Sequence, residues 1–451
     1  MRAIRFGICA LVVFAVLSFG GVKPLAQAIV EVGAAILLVI WGIFVVRQRK
    51  AEIHWSWLYL PILGIGVIAF AQLLFGLSIY PYLTKVELLR WFSYCILFFL
   101  MLQCFRTGGQ ITRFAWFLVV FGFVVSLFGI IQHFAFNGKL YWLVTVPTEA
   151  SPFGPFFNRD HFAGFVELTV PLGLALLLFP SRRRDRLPLL LLFTIVPVGA
   201  LLLSASRGGI LGLLLELVLL TVFSRIRLGR KQVLGAAGLT LVAASFAIWL
   251  GVGDAIERFE QLGHGISNQL RVSIYSDTLR IFLDHPWLGT GLGTLLTVYP
   301  RYASFYNGRI IDHAHNDYLE LLADTGLVGG LFALAFVTLV FWRGLGNLRS
   351  TGSVSYKAVV AGSLAGCAGL LLHSLFDFNL HIPSNAMIFL LLSCIATADR
   401  TQSLSKCSVA GSDGRARNIP DGGDLRQRTC SNLSEDYTPE SFDKESKLFV
   451  G

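Results

Sequence analysis

The chain has 451 residues, 55% of them hydrophobic and only 14% charged, with 37 Phe. Water-soluble domains run nearer a quarter charged, so this composition excludes a soluble globule and points to an all-α polytopic membrane protein. The net charge of +10 does not argue for nucleic acid, because Lys and Arg collect in short loops between apolar runs, the pattern of anchoring at an anionic membrane surface.

A hydrocarbon layer about 30 Å thick takes about 20 residues of helix to cross. In chain order, such runs fall near 4–20, 27–46, 56–75, 88–104, 114–134, 161–179, 187–204, 208–223, 232–250, 325–342, 356–373 and 385–398, twelve spans in all. The first is followed by PLAQA, whose Ala26 and Ala28 have the small-x-small spacing of a signal-peptide cleavage site. A second span starts at once, which favours an uncleaved first helix. With the N-terminus in the cytoplasm, 18 of the 37 Lys and Arg fall in cytoplasmic loops, 8 more in the tail beyond 398, and 11 outside. Every short basic loop then lies on the cytoplasmic side, as the positive-inside rule requires. Both termini are therefore expected in the cytoplasm, with residues 1–398 forming the membrane domain and 399–451 a polar, disordered tail.

Two outer segments, about 135–160 and 251–324, are long enough to hold structure. The first part of the larger, DAIERFEQLGHGISNQLRVSIYSDTLRIFLDH, reads as helical, with Val272, Tyr275, Leu279 and Phe282 as an apolar series. HPWLGTGLGT then stops the helix through Pro286, Gly289, Gly291 and Gly293. GTGLGT follows no strand and has no Walker lysine, so it is not read as a phosphate loop. Cys9, Cys95, Cys104, Cys367 and Cys394 fall in spans and Cys407 and Cys430 in the tail, which suggests no exported disulfide framework.

The stretch IIDHAHNDYLELLADTGLVGG, residues 310–330, is polar where its surroundings are apolar. Read as a helix leading into the span at 325, it puts His315, Leu319 and Leu322 on one face and Asp317, Glu320 and Asp324 on the other, toward water. His315 is then a candidate general base at the membrane boundary, with a satisfied interfacial histidine as the alternative. His313 and His315 also invite a metal. Residues two apart on a helix face different ways, however, and no third fixed ligand is evident, so no metal is expected.

Arg207, in SASRGG, stands between two spans with hardly any loop. It is either a snorkelling anchor or a partner for an anion, and its planar fork suits a phosphate. Arg271, on a helix face with Tyr275, could supply a second positive group. Arg159 in FFNRDHFAG and Arg90 are further candidates. In the last outer loop, HSLFDFNLHIPSN, the ordinary reading of His373, Asp377 and His381 is surface hydration.

Three features in order complete a pattern: R-x3-L at Arg207 and Leu211, the segment from Arg271 through HPWLGTGLG, and H-[NSQ]-x9-G at His315, Asn316 and Gly326. Over roughly residues 150–395 the chain resembles the bacterial O-antigen ligase and O-antigen polymerase superfamily, membrane glycosyltransferases of the GT-C type. The resemblance implies transfer of a glycan from an undecaprenyl diphosphate carrier, at the periplasmic face of the inner membrane. The acceptor is lipid A-core in ligases and a second lipid-linked glycan in polymerases. It makes His315 the group that activates the acceptor hydroxyl and Arg207 and Arg271 the donor diphosphate ligands. Arg280, Arg301 and Arg309 compete for the role of Arg271. Asn316, His313, Asp317, Arg159 and Asp377 are expected to support the site. Inversion at the anomeric carbon is implied, with no metal, no cofactor and no nucleic acid partner. A lipid-linked oligosaccharide transporter is the competing class. Carriers tend to show repeated halves and midplane charges, of which Glu216 is one of few here. A non-catalytic member of a polysaccharide assembly complex is the third reading.

Overall fold

A computed structural model describes residues 1–48, 53–146, 150–179, 187–225, 266–305, 308, 310–350 and 353–398. The expected span at 232–250 and the tail from 399 lie outside these residues. Five helices open the chain: α1 (Arg2–Leu17), α2 (Pro24–Gln48), α3 (Tyr59–Leu74), α4 (Pro81–Cys104) and α5 (Gly108–Phe134). A two-residue hairpin, β1 (Lys139–Leu140) with β2 (Val144–Thr145), leads to α6 (Arg159–Leu178), α7 (Leu187–Ser204) and α8 (Arg207–Arg225). Beyond residue 265 come α9 (Ile266–Asp284), the single turn α10 (Leu295–Val298), α11 (Asp317–Arg349), α12 (Val354–His373) and α13 (Pro383–Thr397). Among the described residues, eight helices are long and apolar enough to cross a membrane, and α3 and α13 are shorter apolar helices. Each expected span within the described residues coincides with a helix. The protein is an all-α polytopic membrane protein.

Burial sorts the helices into a centre and a periphery. From His161 to Ala175 every residue of α6 is buried, as are nearly all of α12 and α13. A helix apolar all round has no face to give to water and belongs inside. On α2, by contrast, Leu25, Ile29, Val32, Ile36, Val39 and Ile43 form an exposed apolar stripe, the surface a lipid-facing helix presents. Small residues bring the central helices together. A Cβ on Gly362 would stand 2.7 Å from the carbonyl oxygen of Pro171, and one on Gly366 would stand 2.9 Å from that of Glu167. Backbone-to-backbone approach of this kind is how helices associate where apolar burial gives no advantage over lipid.

One end of the bundle gathers the start of α6, α8, α11 and α13 with the end of α12. The other end gathers the start of α1 against the end of α4, through Met1 Sδ and Cys104 Sγ at 3.7 Å, and joins α11 and α12 to the end of α13. Asn347 and Tyr356 donate there to the carbonyls of Ala396 and Ala398, each at 2.8 Å. The basic residues flanking α11 and α12 at that end, Arg343, Arg349 and Lys357, are thus separated from His315 by the length of a span.

The segment after α9 crosses α11 at a break in the helix. Gly326 has φ 67°, and Gly289 opposite it has φ 70°. A side chain on Gly326 would strike the carbonyl of Trp287, and one on Gly289 would strike the backbone at Asp324 and Thr325. The backbone amides and carbonyls freed by the break bond across it. Leu327 N donates to Pro286 O at 2.7 Å, Thr290 N to Ala323 O at 3.0 Å, and Gly291 N to Asp324 O at 3.1 Å. Gln72 of α3 closes the junction by donating to Asp324 O at 2.8 Å and accepting from Leu292 N at 3.0 Å. The glycine of the H-[NSQ]-x9-G pattern is therefore the point where α11 opens to receive the HPWLGTG segment. It also divides a 33-residue helix into an outlying N-terminal part and the spanning part that the sequence places from 325.

On α9 the buried face is not the one marked by the apolar series of Val272, Tyr275, Leu279 and Phe282. Val272 and Leu279 are exposed, while Ile274, Asp277, Thr278 and Ile281 are buried. The reason is a buried carboxylate: Asp277 accepts from Tyr299 Oη, Ser304 N and Ser304 Oγ at 2.9–3.1 Å, and these bonds set the helix rotation rather than the apolar series.

Gly326→Ala is expected to lower the thermal midpoint of the detergent-purified protein. The left-handed backbone alone costs about 1–3 kcal/mol for a non-glycine residue, and the Cβ strikes backbone besides. Gly346→Ala, on the same helix with nothing within 4 Å of its Cβ, should leave the midpoint unchanged or raise it slightly.

Candidate functional site

His315 is not on the helix. Asn316 is the N-cap of α11, its side-chain oxygen accepting from Tyr318 N and Leu319 N at 3.0 Å each, so the helix begins only at Asp317. His315 precedes the cap with φ 52°, a left-handed conformation uncommon outside glycine. This turn sends its side chain away from the leucines of α11 and toward the loop between α12 and α13. There His315 Nδ1 lies 3.2 Å from Asp377 Oδ1, while His315 keeps about a third of its side chain exposed. With Nδ1 engaged, Nε2 is the nitrogen open to a substrate.

The three acids expected to face water do not. Asp317, Glu320 and Asp324 are 4%, 2% and 1% exposed, and each is held by other segments. Asp317 accepts from Leu380 N at 3.0 Å and pairs with His381 Nδ1 at 2.7 Å. Glu320 pairs with His313 Nδ1 at 2.7 Å and accepts from Ala314 N at 2.8 Å. Asp324 accepts from Gly293 N at 2.7 Å. A buried carboxylate without such partners would cost several kcal/mol.

The last loop is equally structured, so surface hydration fails for all three residues named there. Asp377 is buried, facing His315 through Oδ1 and His161 Nε2 through Oδ2 at 3.7 Å. His373 is buried and pairs with Glu167 of α6 at 2.8 Å. His381 bridges Asp317 and Glu320, with Nε2 3.3 Å from Glu320 Oε1. Phe378 supplies an apolar hub: it stacks on His313 at 4.1 Å and meets His161 and His315 edge-on at 4.7 and 5.1 Å. Burial by itself would push Asp377 up, but the bond to His315 and the charges of His161 and His373 hold its carboxyl well below the usual carboxylate range. Burial would likewise lower His381, yet Glu320 and Asp317 carry it up to about 10. His313 is also raised, Glu320 outweighing burial.

The arginines stand around this cluster on helix starts and faces. Arg207 is the first residue of α8 and is exposed. Ala205 turns the chain at φ 52°, and Ser206 Oγ accepts from Gly209 N at 3.2 Å to cap the helix. The next residue, Gly208, has no room for a side chain because the ring of His373 occupies that space. Arg207 is thus anchored one residue from the helix that leads to Asp377. Arg271 is exposed on α9, one turn before Tyr275, whose hydroxyl donates to the carbonyl of His315 at 2.9 Å. That bond fixes the Arg271 turn beside the His315 turn. Arg159 is exposed at the start of α6, two residues before His161. Of the competitors for the role of Arg271, Arg280 is turned toward Asp277 at 3.6 Å; the further candidate Arg90 is bonded to Glu87 at 2.8 Å. Arg301 is exposed, and Arg309 lies outside the described residues.

The structure therefore brings His313, His315, Asn316, Asp317 and Asp377 into one cluster, with Arg207, Arg271 and Arg159 on elements that abut it. Sequence reasoning missed His161, Tyr275, Glu320 and Phe378 as parts of the site. His161 sits in the FFNRDHFAG segment already picked out for Arg159, and Tyr275 was legible only as a helix neighbour of Arg271. Phe378 carries no sequence signal at all. A set of metal-type ligands that the local spacing did not reveal is also present: Glu320, from the same stretch, and His381, from the last loop, both face His313.

Residues 189–334 match the family described as O-antigen ligase, a region that holds Arg207, Arg271, His315 and Gly326. An O-antigen ligase of Pseudomonas aeruginosa is 30% identical over 152 residues, which is 34% of this chain and 34% of the relative. The match thus spans about a third of that relative's length. Over this region, which lies within the helical membrane architecture, the chain is therefore similar to the O-antigen ligase family.

Proposed function

We propose that the protein is an inverting glycosyltransferase of the inner membrane that moves a glycan from undecaprenyl diphosphate to a lipid A-core acceptor. The observation that carries this reading is the His315–Asp377 pair: a partly exposed imidazole oriented through Nδ1 by a buried carboxylate. Such a carboxylate selects the tautomer with Nε2 unprotonated and stabilises the imidazolium that forms. His315 Nε2 removes the proton of the acceptor hydroxyl. The hydroxyl oxygen attacks the anomeric carbon on the face opposite the diphosphate, so the new glycosidic bond has inverted configuration. The bond to the diphosphate breaks with its electron pair on the lipid diphosphate, and the imidazolium then releases its proton to that group or to water.

Arg207 and Arg271 bind the diphosphate and neutralise the charge that grows on it as it leaves. Both are exposed and stand on elements fixed to the His315 cluster, through Gly208 against His373 and through Tyr275 against His315. A planar guanidinium bonds phosphate oxygens in pairs, which a lysine cannot do. The separation of the cluster from Arg343, Arg349 and Lys357 by the length of a span supports a site on the periplasmic face under the positive-inside rule.

The test is turnover by the purified protein in nanodiscs, with an undecaprenyl diphosphate-linked oligosaccharide, with and without lipid A-core. Transfer that requires lipid A-core is expected, and elongation without it would make the protein a polymerase. His315→Ala should lose at least about 10²-fold in rate, and Asp377→Asn roughly 10²- to 10⁴-fold while donor binding persists. An unchanged rate in His315→Ala sinks the proposal. So does movement of donor across liposomes with no donor consumed, which would make the protein a carrier.

Arg207→Lys keeps the charge and loses the fork, so weaker donor binding is expected, seen as a raised KM for the lipid-linked donor. Cysteines placed singly at 207 and 315 should both react with an impermeant thiol reagent from the periplasmic side. Labelling from opposite faces would separate the two residues and remove the shared site.

A further inference from the structure

We infer that His313, Glu320 and His381 form a binding site for a first-row divalent metal ion, with zinc the best match to two imidazoles and one carboxylate. The ligand atoms of the three residues all lie within 4.8 Å of one another. Around a tetrahedral zinc at about 2.0–2.1 Å, neighbouring ligands stand about 3.3 Å apart. From Glu320 Oε1, His381 Nε2 stands at that spacing, 3.3 Å, and His313 Nδ1 is in direct contact at 2.7 Å, a separation that an ion entering between the two would widen.

Each ligand is held by a partner of its own. His381 engages Asp317 through its other nitrogen, Nδ1, at 2.7 Å, the carboxylate–histidine–metal arrangement that orients imidazole ligands. Asp317 is itself fixed by Leu380 N. The second oxygen of Glu320 accepts from Ala314 N at 2.8 Å, leaving Oε1 to point between the two rings. His313 is clamped flat on Phe378, with 18° between the planes. A surrounding shell of this kind, built from three chain segments, is what a metal centre needs to keep its geometry.

Both nitrogens of His381 face carboxylate oxygens. Ionised carboxylates offer only lone pairs, so His381 needs a positive centre on each nitrogen: a proton toward Asp317, and a proton or a metal toward Glu320. His313 and His381 each keep about a quarter of the side chain exposed, which gives an ion a way in and leaves a coordination position for water. The two chain segments joined by the ion are those that carry His315 and Asp377. We assign the ion a positioning role, setting the register of that pair. This role rests on the reading of His315 as base, whereas the site itself does not.

The experiment uses full-length protein in nanodiscs, stripped with a chelator and titrated with Zn2+. One Zn2+ per chain is expected, with affinity at least 10-fold weaker in Glu320→Gln and in His381→Gln. X-ray absorption of zinc in the wild-type protein should show imidazole and oxygen scatterers without sulfur. Absence of saturable uptake, sulfur ligation, or equal affinity in both variants overturns the site and leaves a protonated His381 between two carboxylates. If the variants do not fold, the wild-type absorption spectrum decides. Zinc bound in the expected way with glycan transfer unchanged by stripping keeps the site and removes the positioning role. Zinc bound with a fully active His315→Ala keeps the site and removes the proposed base.

Discussion

Burying a carboxylate is the constraint on which the His315 end of this bundle depends. Asp317, Glu320, Asp324 and Asp377 are all withdrawn from water, and each would cost several kcal/mol if left without partners. The partners come from separate chain segments: histidines 161, 313, 315 and 381, and the amides of Ala314, Gly293 and Leu380. Satisfying these acids pulls the 313–316 turn, the start of α6, the loop after α12 and the HPWLGTG segment onto one another. The cluster is thus a consequence of electrostatics in a poorly hydrated place, and its chemistry follows from the same pairs.

Two residues of the family pattern take on structural meaning in this frame. Asn316 ends the turn and starts the helix, bonding two free amides of α11 while its Nδ2 donates to Leu375 O at 3.0 Å. His315 consequently stands in a loop pinned at both sides, where the next loop can supply its carboxylate. Gly326, ten residues on from Asn316, opens the helix so that the outlying turn of α11 can sit above the span and receive the segment that follows α9. The spacing of the pattern measures the distance from the cap to the break.

The arginines obey a different rule. Arg207 and Arg271 are exposed, on backbone held through Gly208 and Tyr275, as the proposed binding of a substrate anion requires. The acids inside the cluster orient imidazoles, while these cations face outward. That division suits the proposed reaction, in which a proton leaves on one side of a sugar and a diphosphate on the other.

The sequence by itself determined the all-α membrane architecture, because long apolar runs have one way to satisfy their backbone in lipid, and each run within the described residues is a helix. It also picked out His315, Asn316, Arg207, Arg271 and Asp377, whose residue types stand out against apolar surroundings. Helical periodicity misplaced His315 on the face of α11 and sent the acids to water, since periodicity carries no information about a cap and a left-handed turn one residue earlier. The apolar series that includes Val272 and Leu279 likewise does not mark the buried face of α9, since the bonds of Asp277 turn these two residues out. The pairing of His315 with Asp377, 62 residues away, was decided only by the tertiary structure. So were the roles of His161, Glu320, Tyr275 and Phe378. The physical reason is that partners for a buried charge are chosen by proximity in the folded bundle, and that proximity is set by the packing of α6 on α12 rather than by any local spacing.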